Sequence, residues 1–377
     1  MKLKFFFLFA ALGIVAGLVA QEGPGQAGSS TVAKPKKKID STNPKESDQP
    51  KIPSRLSNKV KGEMLPDSDA SFKVESNNVT VDVSVLDNKG HFIPNIPRGN
   101  FRIVEDNVPQ TLNNFSMGQA PMTMSLVVEF SNAFQRMYGN GWYQTLQTAY
   151  GFLDTLKKDD YCAIIAYDMR PEILTDFTND RAKWQAAMQR LRIPAFSEAN
   201  LYDTLIDTSE RMQKIEGRKA ILVLTSGIDT FSKVTYDKTR KQLQEHGVPV
   251  YVIGLLQTVR EMADARGGMG SIQRLDFLQA DNAMRTFAKE TGGQAFFPRF
   301  LGELPNIFGE IQQSLRNQYT LSYSPSNAAK DGKFRKIKVE LVSPATNEAL
   351  PIKDEKGKLI KYTILAKAGY TAPREVE

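Results

Sequence analysis

Hydrophobic and polar positions change their rhythm along this chain. From Val79, apolar residues fall at every second place: Val79, Val81, Val83 and Val85 alternate with Thr80, Asp82 and Ser84. That spacing predicts a strand with one buried face. Asp87-Asn88-Lys89-Gly90 reads as the turn that follows, with Gly free to take positive φ. Phe101–Asn107 predicts a second strand ending in a turn, so 73–118 is expected to be a small β segment. From 122 to 313 the pattern is different. Ser125–Phe130, Cys162–Tyr167, Ala220–Thr225 and Val248–Leu255 are nearly continuous apolar runs, as expected for strands covered on both faces of a mostly parallel sheet. Helical faces lie between and after them: Leu146, Ala149, Tyr150 and Leu153; Leu201, Leu205, Met212 and Ile215; Leu304, Ile307, Phe308, Ile311 and Leu315. Alternating strands and helices predict a doubly wound α/β domain over 119–315. Alternation by two returns at Tyr319, Leu321 and Tyr323 and at Ile337, Val339 and Leu341, predicting a C-terminal β segment over 316–371. Neither β segment is large enough to fold well alone. The two are expected to form one β module, with the α/β domain inserted between them and the insertion ends close together.

The N-terminal region has no such pattern. Lys2 and Lys4 precede the uncharged apolar stretch Phe5–Val19, and Ala20 offers a cleavage position, the layout of a secretory signal peptide over 1–20. An uncleaved membrane anchor is the alternative, although the stretch is short beside the ~20 residues a spanning helix needs. Residues 21–72 are rich in Pro, Ser, Lys and Gly and nearly free of aromatic residues, and are expected to be a disordered linker. Secretion, or retention in the periplasm or cell envelope, follows from this reading.

Composition narrows the chemistry. One cysteine excludes an internal disulfide, and two histidines leave little for a Cys/His zinc site. Cys162 sits in an apolar run and is expected to be a buried core thiol. The formal charge of +7 loses two lysines with residues 1–20, leaving +5. Residues 330–377 hold eleven Lys or Arg against seven Asp or Glu, so much of the remainder is local. Lys336 and Lys338 share a strand face there and read as a protected edge. No aromatic-plus-basic patch suited to nucleic acid is evident.

In open α/β sheets, ligands bind beyond the C-terminal strand ends where the strand order reverses. The relevant loops are Ser131-Asn132-Ala133, Ser226 to Thr230, and Ser197 to Asn200. These positions resemble the von Willebrand factor type A fold. The span 73–371 resembles, more specifically, the secreted bacterial VWFA-related domain family first defined from acidobacteria. The resemblance rests on Phe101-Arg102-Ile103-Val104-Glu105-Asp106 with Pro109-Gln110 and Phe115; on Leu201-Tyr202-Asp203; and on Glu290-Thr291-Gly292-Gly293 with Phe296-Phe297. It continues through Tyr319-Thr320-Leu321-Ser322-Tyr323, Gly332 to Ile337, and Gly369-Tyr370.

The resemblance implies a metal-ion-dependent adhesion site, in which hard oxygen ligands hold a divalent cation and leave one position for an acidic group of the partner. This chain departs from that pattern. Glu129 stands for the first Asp, Ser131 matches, Ala133 replaces the second Ser, Ala199 stands at or beside the Thr, and Ser226 replaces the third-loop Asp. Alanine offers no donor oxygen, and Glu129 is one methylene too long. No conventional Mg²⁺ and no cofactor are therefore expected. The alternative is a weak site in which Glu129, Asp203 and Asp229 gather a Ca²⁺ ion; otherwise Glu129 and Asp229 cap loops or pair with Arg or Lys.

Catalysis is not expected. Neither a phosphate-binding GxxxxGK[ST] or GxGxxG loop nor a GxSxG elbow is present. Arg266 to Gly270 reads as a flexible loop within 256–273, and Asp159-Asp160 as a solvated turn. His91 and His246 stand in turn contexts, away from any candidate nucleophile. The reading is a binding module for an unidentified protein partner, with a rim formed by Ser131, Asn132, Phe134, Asn200, Asp229, Thr230 and Phe231. Membrane contact would come only through an uncleaved N-terminal segment.

Overall fold

The computed structural model describes residues 78–374, apart from 133–140, 192–195, 256, 258–259, 262–264, 268–269 and 354–355. The predicted signal peptide, the linker, Ala133 and Phe134 lie outside the described residues. The chain opens with β1 (Val79–Asp87), β2 (Phe101–Glu105), β3 (Val108–Gln110) and β4 (Leu112–Gln119). It then runs through β5 (Met122–Glu129), α1 (Gly141–Thr155), β6 (Tyr161–Tyr167), β7 (Pro171–Thr178), α2 (Arg181–Arg190) and α3 (Leu201–Gln213). Next come β8 (Arg218–Thr225), α4 (Tyr236–His246), β9 (Val250–Gly254), α5 (Ser271–Thr291), β10 (Ala295–Phe296) and α6 (Leu304–Arg316). The last strands are β11 (Asn317–Tyr323), β12 (Phe334–Leu341), β13 (Tyr362–Leu365) and β14 (Gly369–Thr371). No helix among the described residues is long and apolar enough to cross a membrane.

The central sheet has six strands in the order β10-β9-β8-β5-β6-β7. All neighbours pair parallel except β7, which closes one edge antiparallel to β6. All eight residues of β5 are buried, as its uninterrupted apolar run requires. Successive side chains leave opposite faces. Met122, Met124, Leu126 and Val128 meet Phe152 of α1, Trp184 of α2 and Phe308 of α6 in one core. Val127, Ile165 and Val223 meet Leu205 of α3, Leu243 of α4 and Phe287 of α5 in the other. The sheet is thus covered on both faces. Its order reverses between β5 and β8, because the chain builds outward to β7 before returning to β8.

Two four-stranded antiparallel sheets complete the fold, in the orders β13-β1-β11-β4 and β14-β12-β2-β3. Each combines strands from both ends of the chain. Their facing sides share one core of Val81, Val83, Val85, Phe101, Ile103, Tyr319, Leu321 and Ile337. Tyr319 is wholly buried there against the rings of Phe92, Phe101 and Phe115. The alternation at β1 therefore marks a true core face. Its other face is not simply solvated, since Ser84 is 2% exposed and lies toward the α/β domain. Strand β12 is not an edge: β2 and β14 pair with it on either side. Lys336 and Lys338 are exposed because they project from the outer face of an interior strand.

The chain leaves the β module after Gln119 and re-enters it at Asn317, and these two residues are cross-strand partners. Asp160 controls this crossing. Contrary to the solvated turn expected for Asp159-Asp160, Asp160 is fully buried. It accepts from Met122 N (3.0 Å), Lys157 N (2.6 Å) and Arg316 Nη1 (3.1 Å), and also from Arg316 Nη2. The acid thus ties together the start of β5, the turn before β6 and the end of α6. The Gly292-Gly293 pair closes the neighbouring seam. Gly292 ends α5 at φ +88°, and a Cβ there would lie 2.8 Å from Lys367 N. A Cβ on Gly293 would lie 2.1 Å from Val250 O, so only glycine fits.

Three further expectations change. Helix α5 opens at Ser271 with Gly270 at its N-cap, so the Gly-rich run does lead into a helix. His246 ends α4 rather than occupying a turn. Its Nδ1 lies 2.6 Å from Ser209 Oγ, so one histidine does meet a hydroxyl. That hydroxyl is fully buried and donates to Ile206 O (2.9 Å), which leaves no room for a substrate. Removing the carboxylate in Asp160→Ala leaves the Arg316 guanidinium buried without its counter-charge, a change that costs ~3–5 kcal/mol. Urea unfolding is expected to show that loss as a lowered midpoint.

Candidate functional site

The switch point between β5 and β8 carries the site. Glu129 pairs with Tyr167 across β5 and β6. On the other side, Val128 pairs with Leu224, so Thr225 stands on the next rung. Glu129, Tyr167 and Thr225 consequently point from one face at the C-terminal edge of the sheet. Loop residues Ser131 and Ser226 close over them.

The Glu129 side chain is 1% exposed. Its Oε1 accepts from Ser131 Oγ (2.9 Å) and Ser226 Oγ (3.2 Å). Its Oε2 accepts from Ser226 N (2.7 Å) and Thr225 Oγ1 (3.0 Å), and Tyr167 Oη lies 3.2 Å away. Tyr167 Oη and Thr225 Oγ1 are 2.8 Å apart, and Thr225 Oγ1 also accepts from Gly227 N (2.8 Å). Loss of hydration raises the Glu129 pKa, while the donors from Ser226, Ser131 and Thr225 oppose that rise. Burial also pushes the Tyr167 hydroxyl well up, and the nearby Glu129 adds to it. The carboxylate is thus held by neutral donors.

Asp229 serves a different purpose. Its Oδ1 accepts from Leu201 N (2.8 Å), Tyr202 N (3.2 Å) and Ser232 Oγ (2.5 Å). Leu201 N and Tyr202 N are first-turn amides of α3, which have no intrahelical acceptor; Tyr202 N also donates to Ser232 Oγ (3.0 Å). The residue at the N-cap position, Asn200, makes no capping bond with its own side chain; Asp229 supplies the acceptor from another loop, where negative charge suits the helix dipole. Asp203 in turn accepts from Lys233 N (3.1 Å) and Val234 N (3.3 Å). Glu129, Asp203 and Asp229 are each held by their own donors. Among the described residues no three His, Cys, Asp or Glu side chains gather into a metal-binding group.

The proposed rim divides into buried and open parts. Ser131 is 1% and Asn200 6% exposed, so both belong to the framework rather than to a contact surface. Asn200 Oδ1 lies 2.8 Å from Ser232 Oγ, sharing its one proton with Asp229, and its Nδ2 donates to Met169 O (3.3 Å). Ala199 is buried, and its backbone is stitched to Thr230 and Phe231. Asn132 is half-buried, with its amide donating to Phe196 O (2.6 Å). Thr230 and Phe231 are exposed. Beside them lies a groove of about 690 Å³ between the Ile228–Thr230 loop and the first half of α5, lined by Tyr202, Asp229, Tyr236 and Phe277.

Sequence reasoning missed Tyr167 and Thr225, although both end apolar runs at the edge where ligands bind. It also missed the exposed apolar side chains around that edge: Tyr143, Phe196, Leu275, Leu278, Phe300 and Leu301 join Phe231 there. The basic stretch near the C-terminus is broken, because Arg335 is 5% exposed and pairs with Asp331 (2.9 Å).

The class that this fold defines is a doubly wound α/β domain set on a two-sheet β module, consistent with the von Willebrand factor type A fold. No family model matches the chain, and no curated protein matches it. Among solved structures it is similar to the vWF domain of the type V pili tip protein Mfa5 from Porphyromonas gingivalis, with 11% identity and a TM-score of 0.40 over 52% of this chain and 97% of that one. It is also similar to the conserved hypothetical protein BatB from Bacteroides thetaiotaomicron, with 14% identity and a TM-score of 0.39 over 51% and 98% of the two chains. An aerotolerance-related membrane protein from Bacteroides fragilis matches at 15% identity and a TM-score of 0.39 over 52% and 98%. The class of fold follows from strand order and crossovers, independently of these likenesses.

The raised pKa of Glu129 has a sign for stability. Above its ordinary 4.5, the unfolded chain releases this proton while the folded protein still holds it. Stability therefore falls as pH rises from 4.5 through the raised value, and the penalty is absent below 4.5. Glu129→Gln keeps an acceptor for Ser226 N and lets the serine hydroxyls turn to accept. Its urea midpoint is expected to gain on that of the wild type as pH rises from 4.5 through the raised value. A constant difference across that range would remove Glu129 as the source.

Proposed function

We propose that this chain is a non-catalytic, secreted or envelope-associated module of the von Willebrand factor type A kind that binds another protein through the loops at the C-terminal edge of its sheet. The observation that carries this reading is the apolar rim. Of the twelve large exposed apolar side chains among the described residues, seven lie on segments at this edge: Tyr143, Phe196, Phe231, Leu275, Leu278, Phe300 and Leu301. Clustered exposed apolar surface favours protein contact, and aromatic side chains provide most of the anchoring energy in such contacts. The 690 Å³ groove beside Phe231 offers a place for a partner side chain to enter.

The Glu129 network supports binding without a conventional Mg²⁺. Its oxygens already accept from Ser131, Thr225 and Ser226, and an octahedral ion would have to displace these donors at a site short of charged ligands. The serine that meets a histidine, Ser209 beside His246, is fully buried, which supports a non-catalytic role. Secretion rests on Lys2, Lys4 and the apolar stretch Phe5–Val19.

A photo-crosslinking residue placed at Phe231 tests the rim. It is expected to capture a discrete partner from native cell envelope, whereas the same residue at Val108, 50% exposed on the β module, captures none. Equal capture at both positions would count against the rim. Calorimetric titration with Mg²⁺, Mn²⁺ and Ca²⁺ is expected to show no saturable sub-millimolar binding. A saturable heat would favour the ion-dependent alternative.

A further inference from the structure

A small polar cavity of about 90 Å³ lies at the seam between the α/β domain and the β module. The polar face of β1 lines one side with Thr80, Asp82 and Ser84. Arg218 and Lys219, at the start of β8, line another, and Lys367 reaches in from the connection between β13 and β14. Three cationic side chains therefore meet a single carboxylate. That carboxylate, Asp82, is exposed and already accepts from Thr320 Oγ1 (2.8 Å).

The remaining hydrogen bonds do not cancel this charge. Arg218 donates from Nη1 to Leu315 O (3.1 Å) and from Nη2 to Gly118 O. Lys219 Nζ donates to Gln213 O and Ile215 O, both at 2.7 Å. All four acceptors are neutral carbonyls. Lys367 Nζ has no hydrogen-bond or ion-pair partner among the described residues; burial pulls its pKa down, the nearby Asp82 carboxylate opposes that fall, and Lys219 adds a smaller push down. Ser84, 2% exposed, directs no hydrogen bond from its Oγ to any protein atom. Water would satisfy that hydroxyl, but it would leave three half-buried cations with only the exposed Asp82 to offset them.

We propose that this cavity binds one small free oxyanion of the phosphate or sulfate type, with Lys367 Nζ and Ser84 Oγ as direct donors and Lys219 and Arg218 supplying the surrounding charge. The volume suits a small tetrahedral anion. Arg218 and Lys219 belong to the α/β domain, while Ser84 and Lys367 belong to the β module. The anion would therefore strengthen the seam closed by Gly292 against Lys367. This site lies at the N-terminal end of the sheet, opposite the proposed rim, and does not depend on the rim reading.

Calorimetry and thermal unfolding of the mature protein in chloride buffer, with added inorganic phosphate or sulfate, test the proposal. Saturable binding with a dissociation constant below ~1 mM is expected, with a matching rise in Tm. Lys367→Met is expected to weaken binding by about tenfold or more, since hydrogen bonds to charged groups are worth at least that factor. Its Tm in chloride alone should not fall, because the substitution removes one of three cations that share a single exposed carboxylate. Ser84→Ala should weaken binding by a smaller factor and serves in place of Lys367→Met if that variant fails to fold. Phosphate and sulfate also stabilise proteins by general exclusion, a contribution that is equal in wild type and variants. Absence of saturable binding, equal affinity in wild type and both variants, or equally tight binding of glycerol phosphate would each overturn the proposal.

Discussion

Asp160 and Arg316 form the contact on which the rest of this structure depends. The chain crosses from the β module into the α/β domain between Gln119 and Met122, and it returns between Arg316 and Asn317. One buried carboxylate holds both crossings, through the Met122 amide and the Arg316 guanidinium. Buried ion pairs often add little net stability over a well-packed apolar substitute. Their distinctive effect here is geometric: two charges that cannot be left unpaired impose one relative position on β5, the turn before β6 and the end of α6.

At the opposite end of the sheet, a buried acid is held in the reverse way. Glu129 has no cation beside it among the described residues and is held by hydroxyls and one backbone amide. The fold places Glu129, Tyr167 and Thr225 on neighbouring rungs. The added methylene of Glu relative to Asp carries its carboxylate into this hydroxyl cluster. Asp229, which an ion-binding reading would recruit, is committed to the first turn of α3. The polar residues near the switch point consequently act as a preformed floor that fixes the loops, while the exposed aromatic and aliphatic side chains around it are free for contact. The buried polar framework and the exposed apolar side chains are thus different residues of one edge.

The seam ties these observations to the motifs that suggested the family resemblance. Glu290-Thr291-Gly292-Gly293 does not build the rim. Thr291 Oγ1 accepts from Val250 N (3.0 Å), and the two glycines allow backbone to approach backbone. Tyr323 and Tyr370 both reach the buried Glu105 Oε2, at 2.6 Å and 3.1 Å, holding the β module together. Most residues of the resemblance thus serve packing between sheets and domains.

Period and composition by themselves determined the class of fold, the strands at β5, β6, β8 and β9, the core faces of α1, α3 and α6, and the pairing of two distant β segments into one module. Those features are written locally, because burial on one face or both leaves a repeat of two, a repeat of 3.6 or an unbroken apolar run. Strand β7 and helix α4 left weak signals: β7 is an edge strand with little buried area, and only Thr239 and Leu243 of α4 are buried. Only the tertiary structure decided that Asp160 is an internal ion-pair partner and Asp229 a cap for a distant helix. It also placed Asn200 and Ser131 within the framework rather than on a surface, and Lys367 in a cavity short of negative charge. In each case the partner lies far away in sequence or across a module boundary. The fate of a polar side chain depends on which donors and acceptors the fold brings within about 3 Å of it, and no local pattern records that distance.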